Sequence, residues 1–196
     1  MARRSMDAYF TAPWQTRALL HHQPISGLVL ECCSGDQSIA KELRAAGLTA
    51  ITNDVDRKRK ADFHFDAADP RLYLTVETWA GRSIDWIITN PPYKMPLCTA
   101  IVENALNHAQ QGVAMMVRIS FREPTAHINP RGPFLEANPI SRALTLPRHS
   151  FTGNKRSDMA TTEWLIWTAE PTHLPPLLSL YRADERFSLA PPARGR

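Results

Sequence analysis

Short apolar runs alternate along most of the chain with segments whose apolar positions recur at helical spacing. The helical spacing predicts helices over residues 37–47, from Asp69-Pro70 to near Gly81, and over residues 97–108. The apolar runs predict strands at residues 27–31, 49–53, 61–66, 83–89, 112–120, 143–146 and 162–168. Strands that alternate with helices are typical of an α/β fold with a largely parallel sheet.

The alternation breaks after the fifth predicted strand. Residues 122–139 contain four prolines and a glycine, which predicts a long irregular loop. Loops of this length in compact domains are usually functional or mobile. The tail from Pro171 is again rich in proline. No internal repeat or change of composition marks a boundary, so we expect one domain over residues 1–196.

Composition narrows the class of protein without identifying it. The chain has 196 residues, of which 43% are hydrophobic and 21% charged, and this excludes disorder over most of its length. A net charge of +4 permits a polyanionic partner but does not require one. No apolar run approaches the roughly 18 residues that a membrane span needs, and no signal peptide is visible. We therefore expect a cytoplasmic protein with no membrane partner.

The three cysteines are Cys32, Cys33 and Cys98. Their number and spacing suit neither a disulfide framework nor a zinc site. We expect reduced thiols that behave as small apolar side chains, and no bound metal.

Polar or turn-forming residues follow four of the predicted strands, at residues 31–35, Asp54, Asp66 and residues 90–93. The carboxyl ends of parallel strands lie at one edge of a sheet, so these residues should meet in one crevice. Asp54 lies 23 positions after Glu31. That separation is close to the roughly 20 residues between a nucleotide-binding turn and the acid that holds ribose hydroxyls. The spacing favours an adenosine-containing cofactor.

The four residues Asn90-Pro91-Pro92-Tyr93 directly follow an apolar strand. This segment resembles the Asn-Pro-Pro-Tyr/Phe signature of S-adenosylmethionine-dependent amino-methyltransferases, and most of all the DNA adenine methyltransferases. The resemblance implies a Rossmann-like class I methyltransferase fold, in which helices cover both faces of a seven-stranded, mostly parallel sheet. It also implies S-adenosylmethionine as the cofactor, and catalytic roles for Asn90, Pro91, Pro92 and Tyr93.

The chemistry explains why these residue types are needed. The exocyclic amine of adenine is a poor nucleophile because its lone pair is delocalised into the ring. The side-chain oxygen of Asn90 and the carbonyl of Pro91 can both accept hydrogen bonds from that amine and offset the charge that grows on it. Tyr93 would stack on the target base. The reaction needs neither a metal nor a covalent intermediate.

Further segments extend the resemblance across about residues 9–168. Residues 9–13 resemble a Tyr-x-Thr-Pro segment that touches the methionine end of the cofactor through Thr11, although Ala12 is inserted here. Residues 31–35 resemble a Glu-Pro-x-x-Gly turn with Cys32 in place of the proline. By the same resemblance, Asp54 would hold the ribose and Asp66 the adenine amine. The implied cofactor-binding residues are Thr11, Glu31, Cys32, Gly35, Asp54 and Asp66.

Residues 146–151 resemble a segment whose aromatic residue, here Phe151, packs on a flipped base. Basic side chains cluster after the later strands, where phosphate contacts would give affinity without sequence information. The expected substrate-binding residues are Phe151, Arg118, Arg122, Arg148, Lys155 and Arg156. A chain of this size has no room for a separate target-recognition domain, so we expect relaxed sequence preference. A base inside a duplex would have to be flipped out, or single strands used.

Two alternatives remain open on the sequence alone. The same four-residue turn serves RNA adenine methylation and methylation of a protein glutamine amide, since an amide nitrogen poses the same electronic problem. The second alternative is a non-catalytic nucleic-acid-binding module that keeps the fold. The departures at Cys32 and near Thr11 leave that alternative open.

Overall fold

The structure is a computed structural model that describes residues 11–123, 131–148, 161–174 and 176–179. The seven strands are β1 (Leu28–Glu31), β2 (Thr49–Thr52), β3 (Trp86–Thr89), β4 (Gly112–Arg118), β5 (Arg142–Thr145), β6 (Thr162–Thr168) and β7 (Leu177–Ser179). The helices are α1 (Pro13–His22), α2 (Ser38–Ala45), α3 (Arg71–Ala80), α4 (Leu97–His108) and α5 (Arg131–Ala137). A short 3-10 helix, Ile119–Arg122, follows β4.

All seven strands form one sheet in the order β2-β1-β3-β4-β6-β5-β7. Strand β6 runs antiparallel to both its neighbours, β4 and β5. The other pairs are parallel, with Leu30 beside Ile51 on one flank and beside Ile87 on the other. The carboxyl ends of six strands therefore lie at one edge of the sheet, together with the amino end of β6.

Helices cover both faces, and the alternation of side chains along the strands divides the core in two. On one face Leu30 and Met115 pack with α3, α4 and α5. On the other face Val29 and Ala114 pack with α1 and α2. The prediction of a seven-stranded, mostly parallel sheet with helices on both faces is confirmed. Because helices bury both faces of this sheet, its central strands are continuous apolar runs in the sequence.

The identity of one strand was predicted wrongly. Residues 61–66 form no strand, and only a single bridge joins Phe63 to Asn53. The Asn53 side chain donates to the carbonyl of Phe65 and accepts from its N–H, at 3.0 and 2.8 Å. These bonds replace a strand ladder. The seventh strand is instead β7, at the far edge of the sheet within the proline-rich tail.

Two helices lie where the sequence predicted none. Helix α1 begins at Pro13, and the Gln15 side chain accepts a hydrogen bond from the Ala12 N–H at 2.8 Å. Helix α5 occupies residues 131–137 of the segment predicted to be irregular, and Phe134 anchors it in the core at 7% exposure. Within the described residues, no helix is both long and apolar enough to cross a bilayer.

Candidate active site

A cavity of about 380 Å³ opens at the carboxyl ends of β1, β2 and β3. All six predicted cofactor residues and three of the four predicted catalytic residues line it, namely Thr11, Glu31, Cys32, Gly35, Asp54, Asp66, Asn90, Pro91 and Pro92. The topology explains this convergence, since β1 is the central strand of the three and its neighbours are parallel to it.

Backbone N–H groups fix the turn that follows β1. The Gly35 N–H donates to Oδ2 of Asp54 at 2.7 Å, and the Cys33 N–H donates to the Thr89 hydroxyl at 3.1 Å. Gly35 has a φ of +51°, which favours glycine, and a Cβ built there would meet no protein atom within 4 Å. The backbone of this turn therefore borders open cavity space, where a ligand could approach it closely.

Cys32 stands where the Glu-Pro-x-x-Gly turn of the similar family has a proline, and its side chain remains buried. Its side chain is only 1% exposed, whereas Cys33 is half-buried and lines the cavity. The hydrogen bond between the two thiols, together with burial, raises the pKa of Cys33 well above its usual value. Cys33 therefore faces the cavity as a protonated thiol at neutral pH.

Glu31 connects β1 to the first turn of α2. Its side chain is 1% exposed, and Oε2 accepts a hydrogen bond from the Ala40 N–H at 2.8 Å. Burial raises the pKa of this carboxyl well above its ordinary value, and the Ala40 hydrogen bond offsets part of that rise. Glu31 thus satisfies one of the unpaired N–H groups at the start of the helix while it lines the cavity.

Two aspartates present carboxylates to the same cavity. In Asp54, one oxygen accepts from the Gly35 N–H and the other from the Asp56 N–H at 2.8 Å. Each carboxylate oxygen has two lone pairs, so both retain capacity for a further donor. Asp66 accepts from the Ala68 N–H at 2.9 Å through Oδ1. Both side chains can therefore receive hydroxyl or amine donors from a ligand.

Asn53 is a residue that sequence reasoning missed and that holds the segments of the site together. It is fully buried at 0% exposure, and Nδ2 donates to the carbonyl of Cys32 at 2.8 Å. Because the same side chain also holds Phe65, it fixes the turn after β1 relative to the segment that bears Asp66. A buried asparagine at the end of an apolar strand is the sequence feature that could have indicated this role.

The segment Asn90-Pro91-Pro92-Tyr93, predicted to be catalytic and called the catalytic segment below, divides two cavities. Asn90, Pro91 and Pro92 line the large one, and Nδ2 of Asn90 donates to Oγ1 of Thr11 at 3.2 Å. Tyr93 lies on the other side, at a smaller cavity of about 130 Å³. The remaining lining residues of the smaller cavity are Met95, Cys98, Val117, Arg118, Ser120 and Phe121.

The predicted basic residues differ in their surroundings. The Arg118 guanidinium lies 5.3 Å from the ring centre of Tyr93, within cation–π range. Arg148 is exposed and donates to the Thr161 hydroxyl at 3.4 Å. Arg122 makes a two-pronged ion pair with Glu163, which sequence reasoning did not anticipate. Phe151, Lys155 and Arg156 lie outside the described residues.

The walls of the large cavity combine apolar and acidic groups. Apolar side chains missed by sequence reasoning complete its lining, namely Ile39, Val55, Ala67, Leu97 and Ile101. An apolar wall beside a few carboxylates suits a nucleoside, whose ring can pack on the wall while its hydroxyls and amine donate to the acids. Across the described ranges, no three His, Cys, Asp or Glu side chains group as a metal site would require.

Comparisons with known proteins give a fold. No protein-family model matches the chain, and neither does any curated protein sequence. A putative class I S-adenosylmethionine-dependent methyltransferase from Listeria monocytogenes matches with a TM-score of 0.60 at 16% identity, over 92% of this chain and 65% of that one. A putative RNA methyltransferase from Pyrococcus horikoshii gives a TM-score of 0.56 at 12% identity, over 83% and 87%.

The M protein of the type I restriction enzyme EcoKI gives a TM-score of 0.57 at 10% identity, over 86% of this chain and 45% of that one. The chain therefore spans less than two thirds of the Listeria and EcoKI chains. At identities this low, the structural similarity establishes a shared fold and nothing beyond it. The protein has the Rossmann-like α/β fold of class I methyltransferases.

Proposed function

We propose that this protein is an S-adenosylmethionine-dependent methyltransferase that modifies the exocyclic amine of adenine in DNA. One observation carries the proposal. The Asn90-Pro91-Pro92 segment forms a wall of the same cavity that Gly35, Asp54 and Asp66 line. Hydrogen-bond acceptors suited to a target amine thus border a pocket suited to an adenosine-containing ligand.

The residues of the large cavity fit the cofactor by their chemistry. Asp54 would accept from the ribose hydroxyls and Asp66 from the adenine amine, since each carboxylate retains lone pairs. The open space before Gly35 allows the ligand to approach the backbone. Thr11, Glu31 and Cys32 complete the pocket. When bound, the cofactor supplies an electrophilic methyl group.

The chain's own contribution to catalysis is to hold and polarise the target amine. Oδ1 of Asn90 and the carbonyl oxygen of Pro91 would accept its two N–H groups, which favours a pyramidal and more nucleophilic nitrogen. Proline stiffens the segment and has no N–H that could compete for an acceptor. Fixed acceptors also offset the positive charge that grows during transfer, and one such group typically contributes about a hundred- to a thousand-fold in rate. Tyr93 would stack on the base.

The choice of DNA rests on the basic side chains and on one fold relative. Arg118 and Arg148 lie at the carboxyl edge of the sheet, beyond the catalytic segment, where phosphates could reach them. Lys155 and Arg156 extend this set in sequence. The similarity to a restriction-enzyme M protein supports DNA, and that to a putative RNA methyltransferase makes RNA the principal competitor. We expect little sequence preference.

Three parallel incubations distinguish these possibilities. Each combines the enzyme and S-adenosylmethionine carrying a tritiated methyl group with one substrate, which is DNA, RNA or a protein. The products are then hydrolysed to nucleosides or amino acids. We expect label in N6-methyladenine from DNA. Label in RNA adenine alone, or in methylglutamine, would replace the substrate and keep the chemistry. Absence of transfer to all three substrates, with cofactor binding also absent in calorimetry, would favour a non-catalytic module.

A further inference from the structure

Thr11 is held in place by its burial and by the helix that follows it. It is 5% exposed and precedes α1, whose Trp14 and Leu19 are buried in the core. Gln15, itself 0% exposed, bonds to the backbone of Ala12 through its side chain and its N–H. The Thr11 hydroxyl therefore has a fixed place beside the sheet, because the helix that follows it is capped and packed.

This hydroxyl accepts a hydrogen bond from Nδ2 of Asn90 at 3.2 Å, across 79 positions of sequence. A primary amide has a donor end and an acceptor end of nearly the same shape. The proposed reaction needs the acceptor end at the target amine, because a rotated amide would oppose one N–H with another. The contact with Thr11 engages the donor end.

We infer that Thr11 is a positioning residue for Asn90, holding Nδ2 so that Oδ1 is the end presented to the substrate amine. This inference rests on the proposed function. It differs from the role that the resemblance implies for Thr11, which is contact with the methionine end of the cofactor. The two roles are compatible, since Thr11 also lines the cavity, but they predict losses in different quantities.

The test compares Thr11→Val, which keeps the shape and removes the hydroxyl, with Thr11→Ser, which keeps the hydroxyl. Methyl transfer to DNA is measured at saturating cofactor, and cofactor Kd by calorimetry. We expect Thr11→Val to lower kcat about ten- to a hundred-fold, the usual cost of losing a group that orients a reacting side chain. KM for DNA and the cofactor Kd should change by less than about three-fold, which is under 1 kcal/mol. Thr11→Ser should restore most of kcat.

A second measurement needs no turnover. In ¹⁵N spectra of the cofactor-free protein, the side-chain NH₂ pair of Asn90 is identified by its absence from Asn90→Ala. We expect Thr11→Val to shift this pair and to speed its exchange with solvent, and Thr11→Ser to leave it near the parental position. Thr78→Val, an exposed α3 substitution, is the matched control and should leave the pair unchanged.

The outcomes separate the two levels of the proposal. Parental kcat in Thr11→Val, or an unchanged Asn90 pair, overturns the positioning role. A loss confined to cofactor Kd overturns it also and assigns Thr11 to the cofactor. If the parent protein transfers no methyl group, the proposed function fails, while the NH₂ pair still reports whether Thr11 orients Asn90. Thr11→Ala replaces Thr11→Val in both measurements if thermal melts show that the valine variant does not fold.

Discussion

Arg122 donates two hydrogen bonds to the buried carboxylate of Glu163, from Nε to Oε1 at 2.7 Å and from Nη2 to Oε2 at 2.9 Å. The Glu163 side chain is 0% exposed, whereas the Arg122 side chain is 36% exposed. Burial raises the pKa of Glu163, and the ion pair with Arg122 offsets part of that rise. This pairing joins the 3-10 helix after β4 to the amino end of β6, at the edge of the sheet where the carboxyl ends of the other six strands lie.

Removing the Arg122 guanidinium should destabilise the fold, whereas removing that of Arg148 should not. Arg122→Met leaves the buried Glu163 carboxyl without its cationic partner, at a cost whether the carboxyl stays charged or takes up a proton. We expect a loss of about 3 kcal/mol in the free energy of unfolding, at the low end for such pairs because Arg122 is partly exposed. Urea unfolding measures it. Arg148→Ala, at an exposed residue, should change stability by less than about 0.5 kcal/mol. Equal losses in the two variants would contradict the structural role of the pair.

Glu31 should make stability depend on pH. Its raised pKa means that the folded protein holds the proton more tightly than the unfolded chain, in which glutamate has a pKa of about 4.3. Stability therefore falls as pH rises from about 4.3 through the raised value. Glu31→Gln keeps an acceptor for the Ala40 N–H and removes the ionisation, so it should lose less stability over this range. Denaturant midpoints between pH 4.5 and 8 measure this.

The control for this prediction is Glu170→Gln, which changes the same charge at an exposed residue. Its stability should follow the parental pH curve. If the stability of Glu31→Gln also follows the parental pH curve, Glu31 binds its proton equally well in the folded and the unfolded protein. Burial then does not govern its ionisation.

Two glycines with nearly the same backbone angle should respond very differently to alanine. Gly27 has a φ of +84° and Gly47 a φ of +85°. A Cβ at Gly27 would lie 2.1 Å from Oδ2 of Asp85, whereas one at Gly47 meets no atom within 4 Å. Gly47→Ala should therefore cost about 1–2 kcal/mol for the left-handed backbone alone. Gly27→Ala adds an overpacking cost, for a total of about 3 kcal/mol or more.

The additional cost has a defined source. Asp85 accepts from the Leu28 N–H at 2.6 Å and from Gln111 at 2.9 Å, so displacing it breaks bonds that hold the start of β1. Thermal and denaturant unfolding of the two variants measures the difference. Equal destabilisation would mean that Asp85 moves aside without loss.

The central sheet and the convergence of the site could be predicted because they depend on local pattern and on one topological rule. Strands β1 to β4 are apolar on both faces, and their parallel order brings Glu31, Asp54 and Asn90 to one edge. The resemblance around Asn90 then indicated what that edge could bind. Among the described residues, every predicted cofactor residue lines the resulting cavity.

The errors arise where side chains compete with the backbone pattern. Residues 61–66 alternate like a strand, but Asn53 takes the hydrogen bonds that a neighbouring strand would have made. Helix α1 was missed because two of its buried residues, Gln15 and Thr16, are polar and break the apolar spacing. The sequence also provided no indication of the ion pair between Arg122 and Glu163, because it shows the charge of each residue and not the contact between them.

Gly35 should be sensitive to substitution because of the cavity. Gly35→Ala directs a methyl group into the space that the cofactor would fill, whereas Gly81→Ala meets open surroundings at a similar φ of +64°. Both variants should lose about 1–2 kcal/mol of stability. Gly35→Ala alone should weaken S-adenosylmethionine binding, by about tenfold or more in calorimetry, for a cost of at least 1.4 kcal/mol. Parental affinity in Gly35→Ala would place the cofactor elsewhere.

Asn90→Ala should abolish most methyl transfer and leave cofactor affinity nearly intact. The amide of Asn90 is proposed to accept from the target amine, whereas the carboxylates that would hold the cofactor lie on other segments, Asp54 after β2 and Asp66 in the segment that leads to α3. Loss of one fixed acceptor at a site of developing charge typically costs about a hundred- to a thousand-fold in rate. Single-turnover transfer of labelled methyl to DNA measures the rate, and calorimetry the affinity. Transfer at the parental rate would refute the amino-methyltransferase mechanism.

Substitutions of Tyr93 should affect substrate binding, in contrast to the effect of Asn90→Ala on the rate of transfer. Tyr93 lies on the far side of the catalytic segment, at the smaller cavity and beneath Arg118. Tyr93→Ala should remove about 1–3 kcal/mol of base stacking and raise KM for DNA. Tyr93→Phe should retain stacking, because the ring carries it. A variant series in which Asn90→Ala lowers kcat while Tyr93→Ala raises KM fits separate roles for the two residues. If both variants change only KM, Asn90 binds the base without activating its amine.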